Sequence, residues 1–214
     1  ADFRVANYMR NDLNSFTGYR CAQAEVEAKQ AMLCLHANEM PDDEAARETQ
    51  PQWNRYPQNE PLQLLQLLAD FYHTDAQNLM ITRGSNEGIN LLLRLCCKAD
   101  VDNVIICPPT YGMYAFYAQL QAVNIIEVPL IAPQYSIDIE QITQQINTKT
   151  KIIFVCSPNN PTGNLVSLKN ISCLCQAVSG SGLVVVDEAY IEFSEQASVV
   201  SLLDDLPNLV VLRT

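Results

Sequence analysis

The chain has 214 residues, 48% of them hydrophobic, and a formal net charge of −11, so it can bury a large core and is not expected to be disordered. The acidic balance, without a basic patch, argues against nucleic acid and anionic membranes as partners. No apolar run approaches the roughly 20 residues of a transmembrane helix, and the N-terminus lacks the hydrophobic segment of a signal peptide, which predicts a cytoplasmic protein.

The N-terminal part of the chain, residues 1–60, shows weak periodicity, polar clusters and scattered prolines. This pattern indicates an N-terminal helix and an extended arm that lies on other structure. A helix is predicted to follow, because Pro61 suits the first helical position and apolar residues then recur at helical spacing. These apolar residues are Leu62, Leu65, Leu68 and Phe71.

After this helix, apolar runs alternate with helical segments. The runs predict six strands, at Leu79–Thr82, Val104–Cys107, Ile125–Val128, Lys151–Cys156, Leu183–Asp187 and Leu209–Arg213. The segments between and after them predict helices near 86–98, 112–122, 138–147, 168–178 and 198–205. This alternation is typical of repeated βα units, and it predicts an α/β fold with a mostly parallel sheet in one domain from residue 61 to 214.

Eight cysteines are present, several of them within apolar runs. In a chain of this length without a secretory signal they favour reduced, mostly buried thiols over disulfides. There is no Cys-x-x-Cys motif, and His36 and His73 are the only histidines, so no metal site is expected.

The predicted strand Leu183–Asp187 is apolar without alternation and runs into two carboxylates, Asp187 and Glu188. Such a strand is buried on both faces, and its C-terminal end lies at the edge where α/β sheets bind ligands. The two side chains are expected to point to opposite sides, with Asp187 placed to meet a cationic group.

Three interpretations of Asp187 follow. It could be a solvated acid that ends a strand, the acidic strand end of a P-loop ATPase, or an aspartate that pairs with the protonated ring nitrogen of pyridoxal phosphate. The ATPase interpretation is excluded, because none of the seven glycines is followed by lysine. The other two stay open on this strand alone.

Three more strand ends carry residues suited to an anionic aromatic ligand. Arg83-Gly-Ser-Asn-Glu-Gly88 turns into a helix whose first N–H groups could bind phosphate, although its serine or asparagine could also be an ordinary helix cap. Pro108-Pro-Thr-Tyr-Gly-Met-Tyr114 places Tyr111 either to stack on a flat ring or to cap the core. Ser157-Pro-Asn-Asn-Pro-Thr-Gly163 fixes an amide that could donate to a phenolate oxygen.

In this order and spacing, these motifs together with Val186-Asp-Glu-Ala-Tyr-Ile-Glu-Phe193 resemble the histidinol-phosphate aminotransferases, pyridoxal-phosphate enzymes of the aspartate-aminotransferase fold (fold type I). The resemblance extends from about Tyr19 to Thr214. It implies a cofactor-binding large domain over 61–214, incomplete at its C-terminal end, and an arm over 1–60 that contributes to a small domain and to dimer contacts. It also implies a homodimer of histidine biosynthesis that converts histidinol phosphate and 2-oxoglutarate to imidazole-acetol phosphate and glutamate.

The resemblance also implies roles for individual residues. The implied cofactor contacts are Ser85 and Asn86 with the phosphate, Tyr111 over the pyridine ring, Asn160 and Tyr190 with the phenolate oxygen, and Asp187 with the ring nitrogen. In the arm, Tyr19 and Asn38 are implied as substrate contacts, and Tyr56 as a contact to the cofactor phosphate of the neighbouring subunit. The match is looser here, since the family more often has asparagine where His36 stands and another residue at Met40.

The catalytic lysine of a transaminase is not found in these motifs. Transamination needs a lysine that bonds to the cofactor and then moves a proton. None of the five lysines follows the C-terminal end of a predicted strand, and all five are expected at the surface. In the family this lysine comes a few residues after a strand resembling Leu209–Thr214. The resemblance therefore implies that it lies just beyond Thr214 and that the chain is an inactive N-terminal portion of the enzyme.

Other functions remain open within these observations. An aromatic aminotransferase or a threonine-phosphate decarboxylase of the same fold would carry similar cofactor motifs. A non-catalytic module that binds pyridoxal phosphate is a candidate from a different class, because the cofactor motifs occur here without the lysine. The residues encoded after Thr214 would distinguish an enzyme from such a module.

Overall fold

The computed structural model describes residues 7–18, 38–40, 54, 56 and 61–214. Its helices are α1 (Leu62–Tyr72), α2 (Gly84–Cys96), α3 (Met113–Leu120), α4 (Ile139–Gln145) and α5 (Leu168–Ala177). Its strands are β1 (Asn103–Ile106), β2 (Asn124–Glu127), β3 (Thr150–Cys156), β4 (Leu183–Asp187) and β5 (Leu209–Leu212). Short 3-10 helices lie at Asn11–Leu13, Ala76–Asn78, Ile191–Phe193 and Val199–Leu202.

The five strands form one parallel sheet with the order β2-β1-β3-β4-β5. The chain moves outward from β1 to β2 and then returns to the other side of β1, so the strand order reverses between β1 and β3. In sheets of this kind ligands bind at the carboxyl edge near such a reversal. The predicted α/β fold with a parallel sheet is therefore confirmed.

Helices cover both faces of the sheet. On one face α2 and α3 pack on the strands, where Leu93 contacts the same core as Phe154 of β3. On the other face α4 and α5 pack, where Leu174 shares a core with Val155. Phe154 and Val155 are neighbours that point to opposite faces, as side chains do along any strand. β4 is buried along its whole length, which explains why its sequence is apolar without alternation.

Five of the six predicted strands are present, with ends that differ from the predicted ones by at most one residue. The sixth, Leu79–Thr82, is wrong. This segment follows the 3-10 helix Ala76–Asn78 and joins no strand among the described residues, and Met80 is 71% exposed. A strand exists only where another strand accepts and donates its backbone hydrogen bonds, and an apolar run does not by itself supply that partner.

Helix α1 is present as predicted, but its buried face differs from the predicted one. Leu65 and Ala69 are buried, whereas Leu62 and Phe71 are each 66% exposed. Pro61 stands just before the helix instead of at its first position. Residues at every third position rotate gradually around a helix of 3.6 residues per turn. The two ends of the predicted apolar repeat, Leu62 and Phe71, therefore point away from the buried face.

Two other predicted helices differ in extent. The segment 198–205 contains only the short 3-10 helix Val199–Leu202, whose first N–H groups are held by side chains, since Ser198 accepts from Val200 and Glu188 accepts from Val199. Helix α2 begins at Gly84, two residues earlier than predicted.

The start of β4 lies unusually close to β3. A Cβ atom placed on Gly182 would lie 2.8 Å from the carbonyl oxygen of Thr150 and 2.9 Å from that of Lys151. Only glycine permits this approach, because both contacts are with backbone atoms.

Part of the chain before residue 61 packs against helix α2 and the core beneath it. The Arg10 N–H donates to the carbonyl of Leu95 in α2 at 2.8 Å, and Tyr8 packs against the core beneath α2 and α3. The division of the chain at residue 60 stays a prediction, because few residues of the arm are described. Within the described residues, no helix has both the length and the hydropathy to cross a membrane.

The described cysteines are free thiols, as predicted. Those that are buried are Cys96, Cys97, Cys107, Cys156 and Cys175. Burial raises the pKa of Cys96 to about 11, so the thiol stays protonated at neutral pH. Cys21 and Cys34 lie outside the described residues.

Candidate functional site

A cleft of about 210 Å³ opens at the carboxyl edge of the sheet. It is formed by the first turn of α2, the segment after β1, and the residues at the ends of β3, β4 and β5. Its lining residues are Arg83, Gly84, Ser85, Asn86, Tyr111, Cys156, Asn160, Asp187, Ala189, Tyr190 and Thr214. The structure thus brings together the six predicted contact residues that come from four separate motifs, Ser85, Asn86, Tyr111, Asn160, Asp187 and Tyr190.

One end of the cleft is the N-terminus of α2. The helix starts at Gly84, so Ser85 and Asn86 lie in its first turn and neither is the cap residue. The interpretation of these two residues as ordinary helix caps is therefore wrong. The cap position belongs to Arg83, whose side chain makes no cap hydrogen bond. The first N–H groups of the helix are thus not capped by that side chain, and a helix N-terminus of this kind favours anions.

The rim at this end carries one ion pair. The Arg83 guanidinium donates to Glu87 Oε1 at 2.8 Å, and the Arg83 N–H donates to Glu87 Oε2 at 2.6 Å. These hydrogen bonds hold the pKa of Glu87 below its usual range. Arg83 is the only basic side chain among the described residues that line the cleft, and it is 90% exposed. The inner part of the cleft therefore has no basic side chain from the described residues.

The other end of the cleft is formed by Asp187 at the end of β4. Its side chain is buried, with the residue only 2% exposed. Oδ2 accepts a hydrogen bond from the Tyr114 hydroxyl at 2.8 Å, and Oδ1 accepts from the Ala189 N–H at 3.1 Å. Burial raises the pKa of Asp187, and the two hydrogen bonds oppose this rise. The interpretation of Asp187 as a solvated acid is wrong, because the residue is only 2% exposed. A buried carboxylate is stable only when it is paired or hydrogen-bonded, as it is here.

Glu188 points to the opposite side of the sheet, as the alternation of side chains predicts. Its buried carboxylate accepts hydrogen bonds from the Ser198 hydroxyl at 2.5 Å and the Val199 N–H at 2.8 Å. It also pairs with Arg213 at 3.1 Å. The Arg213 guanidinium lies 4.6 Å from the centre of the Tyr72 ring. Glu188 therefore ties the ends of β4 and β5 together, and Asp187 alone of the two acids faces the cleft.

Two tyrosines lie side by side between the ends of the cleft. The Tyr111 hydroxyl donates to Asn86 Oδ1 at 3.1 Å, and its ring meets the edge of Tyr114 with centroids 5.6 Å apart. Tyr111 therefore both covers part of the core and faces the cleft. Sequence reasoning missed Tyr114, which lies in the first turn of α3, three residues after Tyr111. Tyr111 precedes the helix, so helical spacing does not relate the two side chains.

The two asparagines of the segment after β3 have separate surroundings. Asn159 is buried, and its amide donates to the Pro109 carbonyl at 2.9 Å and accepts from the Thr110 hydroxyl at 2.9 Å. It therefore holds two loops together. Asn160 lines the cleft, and its N–H donates to the Cys156 sulfur at 3.4 Å. Cys156 also lines the cleft, and sequence reasoning missed it because its predicted role was limited to the core.

The two described residues of those predicted in the N-terminal arm, Asn38 and Tyr56, do not line this cleft. Asn38 is exposed and has a left-handed backbone with φ of 52°. Tyr56 is 47% exposed, and its N–H donates to Glu39 Oε1 at 2.6 Å. The prediction for Tyr56 concerns a neighbouring subunit, so it stays a prediction, as does that for Asn38. Tyr19 lies outside the described residues.

The described lysines also lie away from the cleft. Lys98, Lys149 and Lys169 are exposed, and Lys151 is half-buried near the start of β3, at the opposite edge of the sheet. None of the four lines the cleft. Lys29 lies outside the described residues.

Known proteins resemble this chain in sequence and in fold. The family model for aminotransferase class I and II matches residues 28–214. The histidinol-phosphate aminotransferase of Xylella fastidiosa (strain 9a5c) is 42% identical over 213 residues, and the histidinol-phosphate aminotransferase 1 of Haemophilus influenzae (strain 86-028NP) is 37% identical over 210 residues. Each alignment covers 98% of this chain and 58% of the relative, so the chain spans less than two thirds of the length of these proteins.

A solved structure shares the fold. The histidinol-phosphate aminotransferase from Clostridium acetobutylicum superposes with a TM-score of 0.64 and 22% identity, covering 75% of this chain and 46% of that chain. At this identity the likeness concerns the fold alone. Because the family model covers most of the sequence and the sheet has the same architecture, the chain belongs to the class I and II aminotransferase family.

Proposed function

We propose that this chain holds the cofactor of a pyridoxal-phosphate-dependent histidinol-phosphate aminotransferase. The whole protein, a cytoplasmic homodimer, converts histidinol phosphate and 2-oxoglutarate to imidazole-acetol phosphate and glutamate. The observation that carries the proposal is the buried carboxylate of Asp187, which faces a cleft whose other end is the N-terminus of helix α2. The names of the curated relatives support the choice of substrate.

The residues of the cleft fit pyridoxal phosphate. This cofactor has a phosphate, a flat aromatic ring and a ring nitrogen that carries a proton. The N-terminus of α2 suits the phosphate, and the buried carboxylate of Asp187 suits a protonated nitrogen. Tyr111 lies between these two ends and offers an aromatic face, while Asn160 and Tyr190 offer hydrogen-bond donors to the phenolate oxygen.

When bound, pyridoxal phosphate supplies an electron sink for the electrons released at the α-carbon of an amino acid. Asp187 keeps a proton on the ring nitrogen, because its buried carboxylate favours a positive neighbour. Tyr111 excludes water from one side of the ring. Ser85 and Asn86 bind the phosphate through the first turn of α2, which fixes the ring relative to the strand ends.

The remaining parts of the site come from elsewhere in the protein. Tyr19 and Asn38 are proposed to contact substrate, and Tyr56 is proposed to reach the cofactor phosphate of the neighbouring subunit. Thr214 lies in the cleft, so a lysine a few residues after it along the chain would be within reach of a ligand there. We place the lysine that bonds to the cofactor in that position.

The fold does not select among the related activities. An aromatic aminotransferase and a threonine-phosphate decarboxylase would use the same cofactor contacts. A non-catalytic module would bind the cofactor without turnover. Discrimination comes from groups that meet the far end of the substrate, and a site built to hydrogen-bond polar groups rejects ligands that lack them.

A kinetic comparison with the full-length protein tests the proposal. The expected kcat/KM for histidinol phosphate exceeds that for phenylalanine or tyrosine by a factor of about 10⁴. Equal turnover of the aromatic amino acids would support an aromatic aminotransferase instead. Release of carbon dioxide from threonine phosphate would support a decarboxylase, and cofactor binding without any turnover would support the non-catalytic module.

A further inference from the structure

Tyr114 approaches Asp187 from the side of the core. It is completely buried in α3, and its hydroxyl donates to Asp187 Oδ2 at 2.8 Å. Its ring stacks on Phe154 with centroids 4.8 Å apart and planes inclined by 5°. It also meets the edge of the Tyr111 ring at 5.6 Å. The ring is thus held on two sides, which fixes the direction from which its hydroxyl reaches the carboxylate.

A purely structural role would not require the hydroxyl of Tyr114. A phenylalanine would fill the same space and would stack on Phe154 equally well. Burying a hydroxyl is unfavourable unless it is hydrogen-bonded, and here it donates to the carboxylate that faces the cleft. Together with the Ala189 N–H it occupies one acceptor site on each oxygen of Asp187. Each carboxylate oxygen has a further acceptor site, and these can serve a ligand.

The titratable groups beside Asp187 keep their protons at neutral pH. Among the described residues they are Tyr114 from α3 and Cys156 from β3, while Arg83, Tyr111 and Tyr190 line the same cleft. Burial and the neighbouring charge of Asp187 raise the pKa of Tyr114, and burial raises the pKa of Cys156. Tyr114 is therefore a proton donor to Asp187 over the whole physiological pH range, and Asp187 is the group of this cluster that changes charge at acidic pH.

We propose that Tyr114 is a positioning residue that acts through Asp187: its hydroxyl favours the ionised carboxylate and directs it at the ring nitrogen of the cofactor. The inference rests on the proposed function, which gives Asp187 its ligand. A hydrogen bond to the charged form of an acid stabilises that form. Tyr114 therefore offsets part of the effect of burial on Asp187 and keeps the carboxylate charged at lower pH than burial alone would allow.

The test measures binding of pyridoxamine phosphate to the cofactor-free full-length protein as a function of pH. This probe has the ring and phosphate of the cofactor but no aldehyde to bond to a lysine. In Tyr114→Phe, the acidic midpoint of binding moves to higher pH. At pH values between the two midpoints the variant binds about tenfold more weakly, as expected for the loss of a hydrogen bond to a charged group.

Three further proteins make the test independent of folding defects. Fluorination of the Tyr114 ring makes the phenol a stronger donor, so it moves the same midpoint to lower pH. Tyr117→Phe removes a hydroxyl from the same helix, outside the cleft, and leaves the midpoint unchanged. In the Asp187→Asn background, Tyr114→Phe does not change the pH dependence of binding, because the group that Tyr114 acts on no longer titrates.

The outcomes separate this inference from the proposed function. If Asp187→Asn removes the acidic limb while Tyr114→Phe and the fluorinated protein keep the wild-type midpoint, Tyr114 is only a core residue and the inference fails. If Asp187→Asn itself binds the probe with wild-type affinity and pH dependence, Asp187 does not face the ring. The proposed function then fails before the role of Tyr114 is reached.

Discussion

Asp187 and Glu188 are neighbours in sequence with different partners. Glu188 meets a cation, Arg213, whereas Asp187 has neutral donors and faces the cleft. The alternation of side chains along a strand was enough to predict this division. The role of Tyr114 was not predictable in this way, because its hydrogen bond joins residues 73 positions apart in the sequence. Such a contact depends on how the start of α3 lies relative to the end of β4, which no local pattern reports.

Replacement of Asp187 by asparagine is expected to reduce turnover of the full-length protein far more than its stability. An amide of the same shape cannot keep the ring nitrogen protonated, so kcat is expected to fall by about a hundredfold or more. Asp102→Asn is a matched control, since Asp102 is also a buried acid but lies at the opposite edge of the sheet. Near-normal turnover of Asp187→Asn would remove Asp187 from its proposed role.

The stability of the cofactor-free protein is expected to depend on pH through Asp187. Burial raises its pKa above the ordinary value of 3.8, so the folded state binds this proton more tightly than the unfolded state does. The stabilisation is complete below the ordinary pKa and is lost as the pH rises through the raised one. Measured by urea unfolding, the unfolding free energy of the wild type relative to Asp187→Asn therefore falls over this window. A rise with pH would contradict the assignment.

At the scale of elements, the cleft depends on strand ends that are kept in register. The apolar runs predicted five strands well. The three inner strands, β1, β3 and β4, are buried almost throughout, and strands buried on both faces need continuous apolar sequence. The run Leu79–Thr82 was as apolar but found no strand partner among the described residues. Predicting a strand therefore requires knowing which strand it pairs with, and the local sequence does not contain that information. Between β4 and β5 the buried pair of Glu188 and Arg213 supplies a link beyond the backbone ladder.

Glu188→Gln is expected to destabilise the protein by about 2 kcal/mol, because it removes the buried one of the two carboxylates that pair with the largely buried Arg213, the other being Glu192. Urea unfolding measures this loss. Arg83→Ala is the matched control, since it breaks an exposed ion pair on the cleft rim, and it is expected to leave the urea midpoint nearly unchanged. Equal stability of Glu188→Gln and the wild type would show that the pair does not hold the two strand ends.

At the scale of the whole molecule, this chain spans 58% of the length of the curated relatives described above. Sequence motifs predicted six residues that the structure brings into one cleft, because three of the four motifs follow strands and parallel strands end at one edge. The fourth motif reaches the same edge through the N-terminus of α2. The arm was less predictable, since its residues follow no strand or helix period that would place them. Tyr56 is the residue of the arm whose proposed role depends on a second subunit.

A complementation experiment tests the role of Tyr56. Each subunit of the proposed homodimer would supply Asp187 to its own site and Tyr56 to the neighbouring one. Mixing inactive Asp187→Asn and Tyr56→Phe proteins is therefore expected to restore about a quarter of wild-type activity, because half of the dimers are mixed and each has one intact site. No recovered activity in samples that contain mixed dimers would place Tyr56 within its own subunit's site or outside both.

The most direct test of the central claim is a crystal structure of the full-length protein with pyridoxal phosphate. We expect the ring nitrogen within about 2.7–2.9 Å of Asp187, the distance of a charge-assisted hydrogen bond. The phosphate is expected on the N–H groups at the start of α2, beside Ser85 and Asn86. A cofactor bound elsewhere, or bound in this cleft with its phosphate against Asp187, would contradict the account.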